Sequence, residues 1–338
     1  MTSAAAQPFT VLVTGGAGYI GSHAVLAFNE AGFDVVVLDN LSTGRRDAVP
    51  ALVPLVVGDI GDGEAVGSLI RQHDVRSVVH FAGSIVVPES VVNPLEYYRN
   101  NTASSRTLIQ ACVETGVKTF VFSSSAAVYG APDRVPVAET ASTVPVNPYG
   151  TSKLMTEWML RDSAAAHDFS YAALRYFNVA GADPAGRTGQ TTHKATHLIK
   201  IACEAAVGKR PFIEVYGEDY DTPDGTCIRD YIHVTDLAAG HVAALGHLAR
   251  DPANLVLNCG YGRGYSVREV LRAVEKASGK TLDIRAAPRR PGDPAALVAD
   301  ASAINETLAW EPRHKDLDVI VQTALAWEAN LAGDRENG

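Results

Sequence analysis

Phe9-Thr10-Val11-Leu12-Val13-Thr14-Gly15-Gly16-Ala17-Gly18-Tyr19-Ile20-Gly21 is the stretch that decides the fold. A short β-rich run, Phe9–Thr14, leads straight into glycines at Gly15, Gly18 and Gly21, and a helical stretch, Gly18–Ala31, continues from them. Glycine permits the tight turn, lets backbone approach an anion, and lets the helix pack close to the strand. The helix start then offers unpaired N–H groups and the positive end of its dipole to a diphosphate. The glycine spacing alone is a weak signal. The strand before it and the helix after it supply the context that a phosphate-binding turn requires.

The same alternation continues outward from this turn. Strands are expected at Val35–Leu38, Leu55–Val57, Ser77–Ala82, Thr119–Ser123 and Tyr171–Phe177, with helices at Glu64–His73, Leu95–Thr115 and Tyr149–Ala166. Short Val-, Phe- and Tyr-rich runs separated by helices predict right-handed βαβ units and an α/β, Rossmann-like doubly wound parallel sheet. After residue 180 the texture changes. Gly181–Thr192 and Tyr220–Gly225 read as polar loops, and Pro288–Pro294 cannot be regular structure. Between them lie a helix near His197–Val207, a strand Ile213–Tyr216, a helix Asp236–Leu248, a strand Leu255–Asn258 and a helix Val267–Ser278. The expectation is a dinucleotide-binding domain over residues 1–180, with a segment near 228–260 returning to it. A smaller C-terminal α/β substrate domain would occupy most of 181–338.

Composition sets the outer limits. The 338 residues carry 29 Lys+Arg against 38 Asp+Glu, a formal net charge of −9, which disfavours a dedicated nucleic-acid binder. A hydrophobic fraction of 46% disfavours disorder. No apolar run reaches the ~18 residues of a membrane span, and the opening MTSAAAQPFT lacks the basic and apolar regions of a signal peptide. Cys112, Cys203, Cys227 and Cys259 are widely spaced and read as reduced thiols, so a cytoplasmic protein is expected. His193 and His197 have zinc-compatible i, i+4 spacing but no visible third ligand, so no metal is expected.

The second strand ends in Asp39, 18 residues after Gly21. A carboxylate there can accept the hydroxyls of an adenosine ribose and repels a 2′-phosphate, which favours NAD over NADP. Arg45 and Arg46, close by, point the other way. Asp59 after the third strand suits either an adenine contact or a helix cap. Further on, Tyr149 and Lys153 share one helix face at i, i+4, about 25 residues after Ser123-Ser124-Ser125 at a strand end. A phenol is a poor base at neutral pH, but an ammonium and a nicotinamide cation would lower its pKa. Ser125 could hold the reacting oxygen of a substrate.

Together these residues resemble the extended short-chain dehydrogenase/reductases and, within them, the UDP-glucose 4-epimerase (UDP-galactose 4-epimerase) family. The similarity runs in order through TGGAGYIGSH, LDNLSTG, GDI, HFAG, SSSAAVYG, NPYGTSK, LRYFNVAGA, DGTCIRDYIHVTDLA and APRRPGDP, over roughly residues 9–300. It implies tightly bound NAD that is used and regenerated in each turnover, with UDP-glucose and UDP-galactose interconverted by transient oxidation at sugar C4. Tyr149 would be the general base and acid, Ser125 would share its proton path, and Lys153 would hold the nicotinamide ribose. The glycine motif would give cofactor contacts from Gly15, Gly18, Tyr19 and Ile20, and LDNLSTG from Asp39, Asn40, Ser42 and Gly44. GDI would give Asp59 and Ile60, and HFAG would give Phe81, Ala82 and Gly83. Asn100, Ser123 and Tyr176 would complete the cofactor set with Tyr149 and Lys153. On the substrate side the resemblance implies Asn178 at the diphosphate or sugar, Arg229 and Arg290 at the pyrophosphate, and Asp293 at the uridine ribose. Thr196, His197, Leu198, Glu214 and Tyr216 would lie at the uracil end. A homodimer through Leu95–Thr115 and Tyr149–Ala166 is the family's assembly.

The chain departs from the pattern at Ile85, where some members carry lysine, at Thr196-His197 in place of an Asn pair, and at Leu297 in place of a bulky Tyr. The last bears on N-acetylated sugars. Ala126 and Ala127 cannot supply the extra acid/base that a 4,6-dehydratase needs. A 4-epimerase of UDP-GlcNAc or UDP-xylose shares the catalytic set, and a non-catalytic NAD-binding regulator should have lost Tyr149 or Lys153.

Overall fold

The computed structural model describes residues 9–192, 195–290 and 292–336, the final four without their side chains. Its strands are β1 Thr10–Thr14, β2 Asp34–Asp39, β3 Leu55–Val57, β4 Val75–His80, β5 Thr119–Ser123, β6 Ser170–Tyr176, β7 Asn178–Ala180, β8 Ile213–Tyr216, β9 Ile228–His233, β10 Asn254–Cys259, β11 Gly264–Ser266, β12 Ile284–Ala287 and β13 Ala296–Leu297. Seven form one sheet in the order β10-β6-β5-β4-β1-β2-β3, every neighbouring pair parallel. This is the doubly wound arrangement, with its switch point at β1 and β4.

Side-chain alternation explains why both faces are covered. Val11 and Val13 of β1 face one way, into a core with Val25, Phe28, Leu237 and Leu245. Leu12 between them faces the other way, toward Ile70, Leu108, Phe120 and Leu160. All three β1 side chains are fully buried, each stabilising the fold by roughly 1.5–3 kcal/mol. The helix Tyr19–Glu30 therefore packs on the same face as the later helix Val234–Arg250.

The other six strands form two small sheets. β9 is central in one, flanked by β11 and β13 and paired with β7, while β8 pairs with β12. A third apolar core lies under them, built from Ile199, Ile213, Val215, Val270, Ile320 and Val321. The helix Leu317–Glu336 crosses this region through the Lys200–Glu328 ion pair and the Trp327 indole, which bonds the Gln190 carbonyl.

The expected helix over Leu95–Thr115 is not continuous. A short α-turn, Pro94–Tyr97, passes into a π-helical segment, Tyr98–Ala103, before the α-helix Ser104–Thr115. The wide turn places the buried amide of Asn101 against the loop after β4. The strands β7, β9, β11, β12 and β13 escape sequence reading because each is short, partly polar, or embedded in loop-like sequence.

Candidate active site

The glycine turn follows from steric necessity. Gly15 has φ +71°, and a Cβ there would sit 2.5 Å from the Ala82 nitrogen. A Cβ on Gly21 would fall 2.0 Å from the Gly15 carbonyl oxygen. The turn is sealed by Gly15 N–H to Leu38 O at 2.8 Å and Gly18 N–H to Gly15 O at 3.1 Å. The helix Tyr19–Glu30 starts at Gly18 with no side-chain cap and no acidic residue in its first turn. Its opening N–H groups thus face the end of the parallel sheet without a competing carboxylate.

Asp39 is buried at the end of β2. Its carboxylate accepts Ala17 N–H at 2.9 Å and Leu41 N–H at 2.8 Å. A Cβ on Gly44 would lie 3.0 Å from the same carboxylate. The acid is therefore fixed beside the glycine turn, as a ribose acceptor must be. Asn40 reaches Asp59 at 3.1 Å and accepts Ser42 N–H at 3.0 Å, which gathers three more of the expected cofactor residues. Asp59 accepts Gly61 N–H, whereas the cap of the helix Gly63–Gln72 is Asp62. Of the two readings of Asp59, the helix cap is thereby removed. Ile60, next to it, is buried in the apolar core.

Phe81, Ala82 and Gly83 continue from β4 beside Gly15, with Phe81 packed on the His241 ring at 4.7 Å. Asn101, which sequence reading missed, holds this loop. Its Oδ1 accepts Ser84 N–H at 2.7 Å, and its Nδ2 donates to Ser84 O at 2.9 Å and to Ser152 Oγ at 3.1 Å. Asn100 reaches the Ser84 hydroxyl. Tyr19 spends its hydroxyl on the Gly181 carbonyl at 2.6 Å, and neighbouring Ile20 is half-buried.

The segment Asn147-Pro148-Tyr149-Gly150 sets the helix Pro148–Ala166, which carries the candidate Tyr149 and Lys153. Asn147 caps it through Gly150 N–H at 2.9 Å, and Pro148 occupies the first turn. Gly150 has no room for a side chain, since its Cβ would meet Ala127 O at 2.5 Å. This close approach sets Tyr149 against the Ser125 turn, and the Ser125 side chain acts on the phenol to lower its pKa. Lys153, one turn later, donates to Ser123 O at 2.8 Å and lies 6.0 Å from the Tyr149 ring centre. Ser123 Oγ in turn donates to the Tyr176 hydroxyl at 3.1 Å. Burial lowers Lys153 to about 8 despite the nearby Glu157 carboxylate. Burial also pushes the Tyr149 phenol up, and the Ser125 contact offsets this only in part. The protein's own groups therefore do not produce the lowered phenol expected from the sequence, because desolvation outweighs them.

The remaining expected residues lie in the small sheets and their loops. Arg229 on β9 donates to Asp293 Oδ1 at 2.7 Å and to Ile228 O at 2.8 Å. The pairing of β8 with β12 brings Tyr216 to the start of the 288–294 loop, where the Arg290 guanidinium stacks 3.9 Å from its ring centre. The Tyr216 hydroxyl donates to Glu214 at 2.6 Å. Asn178 begins β7 opposite Tyr231, and His197 bonds Gln190 just before the helix Leu198–Ala206. Thr196 is exposed and Leu198 half-buried. Leu297 on β13 is register partner to Arg229 and packs beside Ala126, Val128 and Phe177. The structure thus gathers three groups: the glycine–Asp39 cradle, the Ser–Tyr–Lys set, and the Arg229–Asp293 and Tyr216–Arg290 pairs. His193 lies outside the described residues. Among the described residues no cluster of three or more His, Cys, Asp or Glu could hold a metal.

Residues 11–260 match the NAD dependent epimerase/dehydratase family. The chain is 62% identical to the UDP-glucose 4-epimerase of Azospirillum brasilense over 331 residues, covering 98% of this chain and 95% of that protein. It is similar to the UDP-glucose 4-epimerase of Bifidobacterium longum, solved with NAD+ and UDP, at TM-score 0.90 and 41% identity, covering 95% and 98% of the two chains. The UDP-Glc/GlcNAc 4-epimerase of Campylobacter jejuni matches at TM-score 0.84 and 46% identity, covering 95% and 99%. The chain belongs to the NAD dependent epimerase/dehydratase family and, within it, groups with the UDP-glucose 4-epimerases.

Proposed function

We propose that the protein interconverts UDP-glucose and UDP-galactose with bound NAD. The observation that carries this reading is the convergence of Ser125, Tyr149 and Lys153 at one end of the sheet that also holds the glycine–Asp39 cradle. The cradle suits NAD, since Gly15 and Gly21 let the turn fold tightly against Ala82 and its own backbone, the helix start carries no acidic residue, and Asp39 is fixed beside the turn as a ribose acceptor. Gly15, Gly18 and Asp39 would hold NAD, which when bound would supply reversible two-electron oxidation of the sugar at C4.

The chain's own groups account for the rest. Tyr149 Oη takes the proton from the C4 hydroxyl, relayed through Ser125 Oγ, and gives it back after the sugar has turned over. Lys153 holds the ribose hydroxyls and opposes the desolvation of the phenolate. Arg229 and Arg290 grip the diphosphate, for which a guanidinium fork is suited, and Asp293 accepts the uridine ribose hydroxyls. Asn178 holds the diphosphate or sugar, while Leu198, Tyr216 and their neighbours Thr196, His197 and Glu214 enclose the uracil. Firm anchoring at UDP leaves the sugar free to rotate. Purified protein incubated with UDP-galactose and no added reductant should yield UDP-glucose on sugar-nucleotide chromatography; absence of interconversion with NAD bound would defeat the reading.

A second substrate is supported by Leu297, which lies beside the Ser125 turn where some relatives place tyrosine. Weak activity on UDP-GlcNAc is expected, and Leu297→Tyr should depress it more than activity on UDP-glucose. The proposed division keeps residues 1–180 with the cofactor and gives most of 181–338 to the UDP-sugar. The helix Val234–Arg250 and β10 return to the main sheet. A homodimer is supported by an exposed apolar strip, Val91 (60%), Val92 (73%), Leu95 (80%) and Trp158 (45%), on and beside the catalytic helix. Light scattering should report twice the chain mass. Among the described residues no helix is long and apolar enough to cross a membrane. A cytoplasmic setting is supported by the four cysteines, all buried and free.

A further inference from the structure

The catalytic helix carries a second buried charge that the mechanism above does not use. Glu157 lies one turn beyond Lys153 and two beyond Tyr149. It is 4% exposed and forms a bidentate pair with Arg175 of β6, itself 6% exposed, at 3.0 and 2.6 Å. A buried ion pair is weak support for stability by itself, so its placement needs another account.

The pair grips the chain on both sides of Ser125. Glu157 Oε1 accepts the hydroxyl of Ser124 at 2.5 Å. Arg175 Nη1 donates to the hydroxyl of Tyr129 at 3.0 Å, and its guanidinium lies 4.9 Å from that ring centre. Tyr129 closes the single 3-10 turn that Ser125 begins, and its hydroxyl donates onward to Asn258 of β10 at 2.6 Å. Ser125 therefore sits on a span fixed at Ser124 and Tyr129 by one ion pair.

From this juxtaposition we infer that Glu157 and Arg175 are positioning residues of the epimerisation, holding the Ser125 turn against Tyr149 and keeping Lys153 charged. This rests on the proposed function only for what the turn is positioned to do. The electrostatic part has few competitors. Around Lys153 the titratable groups are Tyr149 and Glu157 on its own helix, His80 on β4, Tyr176 and Arg175 on β6, and Tyr97 across from Tyr149. Burial and the Lys153 charge drop His80 to about 3, and burial raises the phenols, so these groups are neutral near pH 7. Among the described residues Glu157 is the one nearby charge that favours the ammonium, against a burial that lowers Lys153 to about 8.

The test uses the NAD-loaded enzyme with 13Cε-lysine, the Lys153 signal being assigned by its loss in Lys153→Arg. In Glu157→Gln the Lys153 titration midpoint should fall by about one unit, with the basic limb of kcat moving by a similar amount and KM for UDP-glucose changing less than threefold. Because Glu157→Gln leaves Arg175 buried and unpaired, the charge-neutral Glu157→Gln/Arg175→Met variant is measured beside it and should show a shift of the same sign. Ser124→Ala and Tyr129→Phe isolate the grip on the turn: each should lower kcat about fivefold with the pH profile unmoved. An unchanged Lys153 midpoint together with wild-type kcat in Ser124→Ala and Tyr129→Phe overturns the proposal. A wild-type enzyme that fails to epimerise, with the midpoint still falling in Glu157→Gln, rejects the function and leaves the electrostatic role standing.

Discussion

The two ends of the proposed site are built in opposite ways. At the cofactor end, backbone does the fitting: Gly15, Gly21 and Gly44 admit no added carbon, and Asp39 is locked by two main-chain N–H groups. At the UDP end, side chains do it. Arg229 and Asp293 hold each other, and Arg290 rests on Tyr216, with the Arg290 side chain exposed. A backbone cradle has one shape and suits a ligand that stays. A side-chain clasp can trade partners and suits a ligand that arrives and leaves at each turnover.

This contrast predicts a graded set of losses. The largest belongs to the group between the two ends: Tyr149→Phe should lower kcat by about 10³-fold while NAD and UDP remain bound, measured by turnover and by ligand content. Gly21→Ala comes next, because its Cβ would overlap the Gly15 carbonyl. Bound NAD after gel filtration should fall to a few per cent, with UDP affinity much less affected; equal loss of both would erase the distinction between the ends. Arg229→Met should raise KM for UDP-glucose roughly 30-fold, the scale of a charge-assisted hydrogen bond, with kcat nearly unchanged. Asp39→Asn should narrow the preference for NAD over NADP by roughly tenfold, read by competitive reconstitution.

The smallest effect is acid sensitivity. Burial holds His23 and His241 down to about 4, and His80 and His233 down to about 3. Above pH 6.5 neither the folded nor the unfolded chain charges these rings. Between 6.5 and about 4 the unfolded chain takes up protons that the fold refuses, so stability drops as pH falls through that window. Asp230, raised by burial to about 6, works the other way, but it is one group against these four and His197, which burial also lowers. The Tm should therefore decline below pH 6.5. Phe81 packs on His241, and His80 bonds Thr14 just before the glycine turn. NAD retention should accordingly weaken before the UDP clasp does.

How far the sequence could be read follows the same divide. Backbone requirements leave durable marks, so TGGAGYIG, Asp39 and NPYG announce their geometry at fixed spacings. The predicted strands of the large sheet match within about two residues because parallel strands covered by helices are short apolar runs, a mark that even the partly exposed edge strands β3 and β10 keep. Long-range side-chain partnerships leave no such mark. Nothing near Arg175 in the chain points to Glu157 or Tyr129, and Asn101 shows its role only once the π-helical turn faces it toward Ser84. One signal was available: Glu157 continues the i, i+4 series from Tyr149 and Lys153. The raised Tyr149 phenol was also hidden, because burial depends on how the chain is folded around it.

The Arg229–Asp293 pair carries a further consequence for discrimination. Asp293 acts as a tethered decoy, an anion held at high local concentration beside the guanidinium. A lone phosphate or chloride must evict it and leaves the carboxylate without a partner. On the proposed reading, a nucleoside diphosphate avoids that penalty, offering an anion to Arg229 and ribose hydroxyls to Asp293 in one molecule. The clasp would then behave as a lock opened only by both teeth of the key, which filters the abundant simple anions of a cell from the scarcer nucleotide sugar.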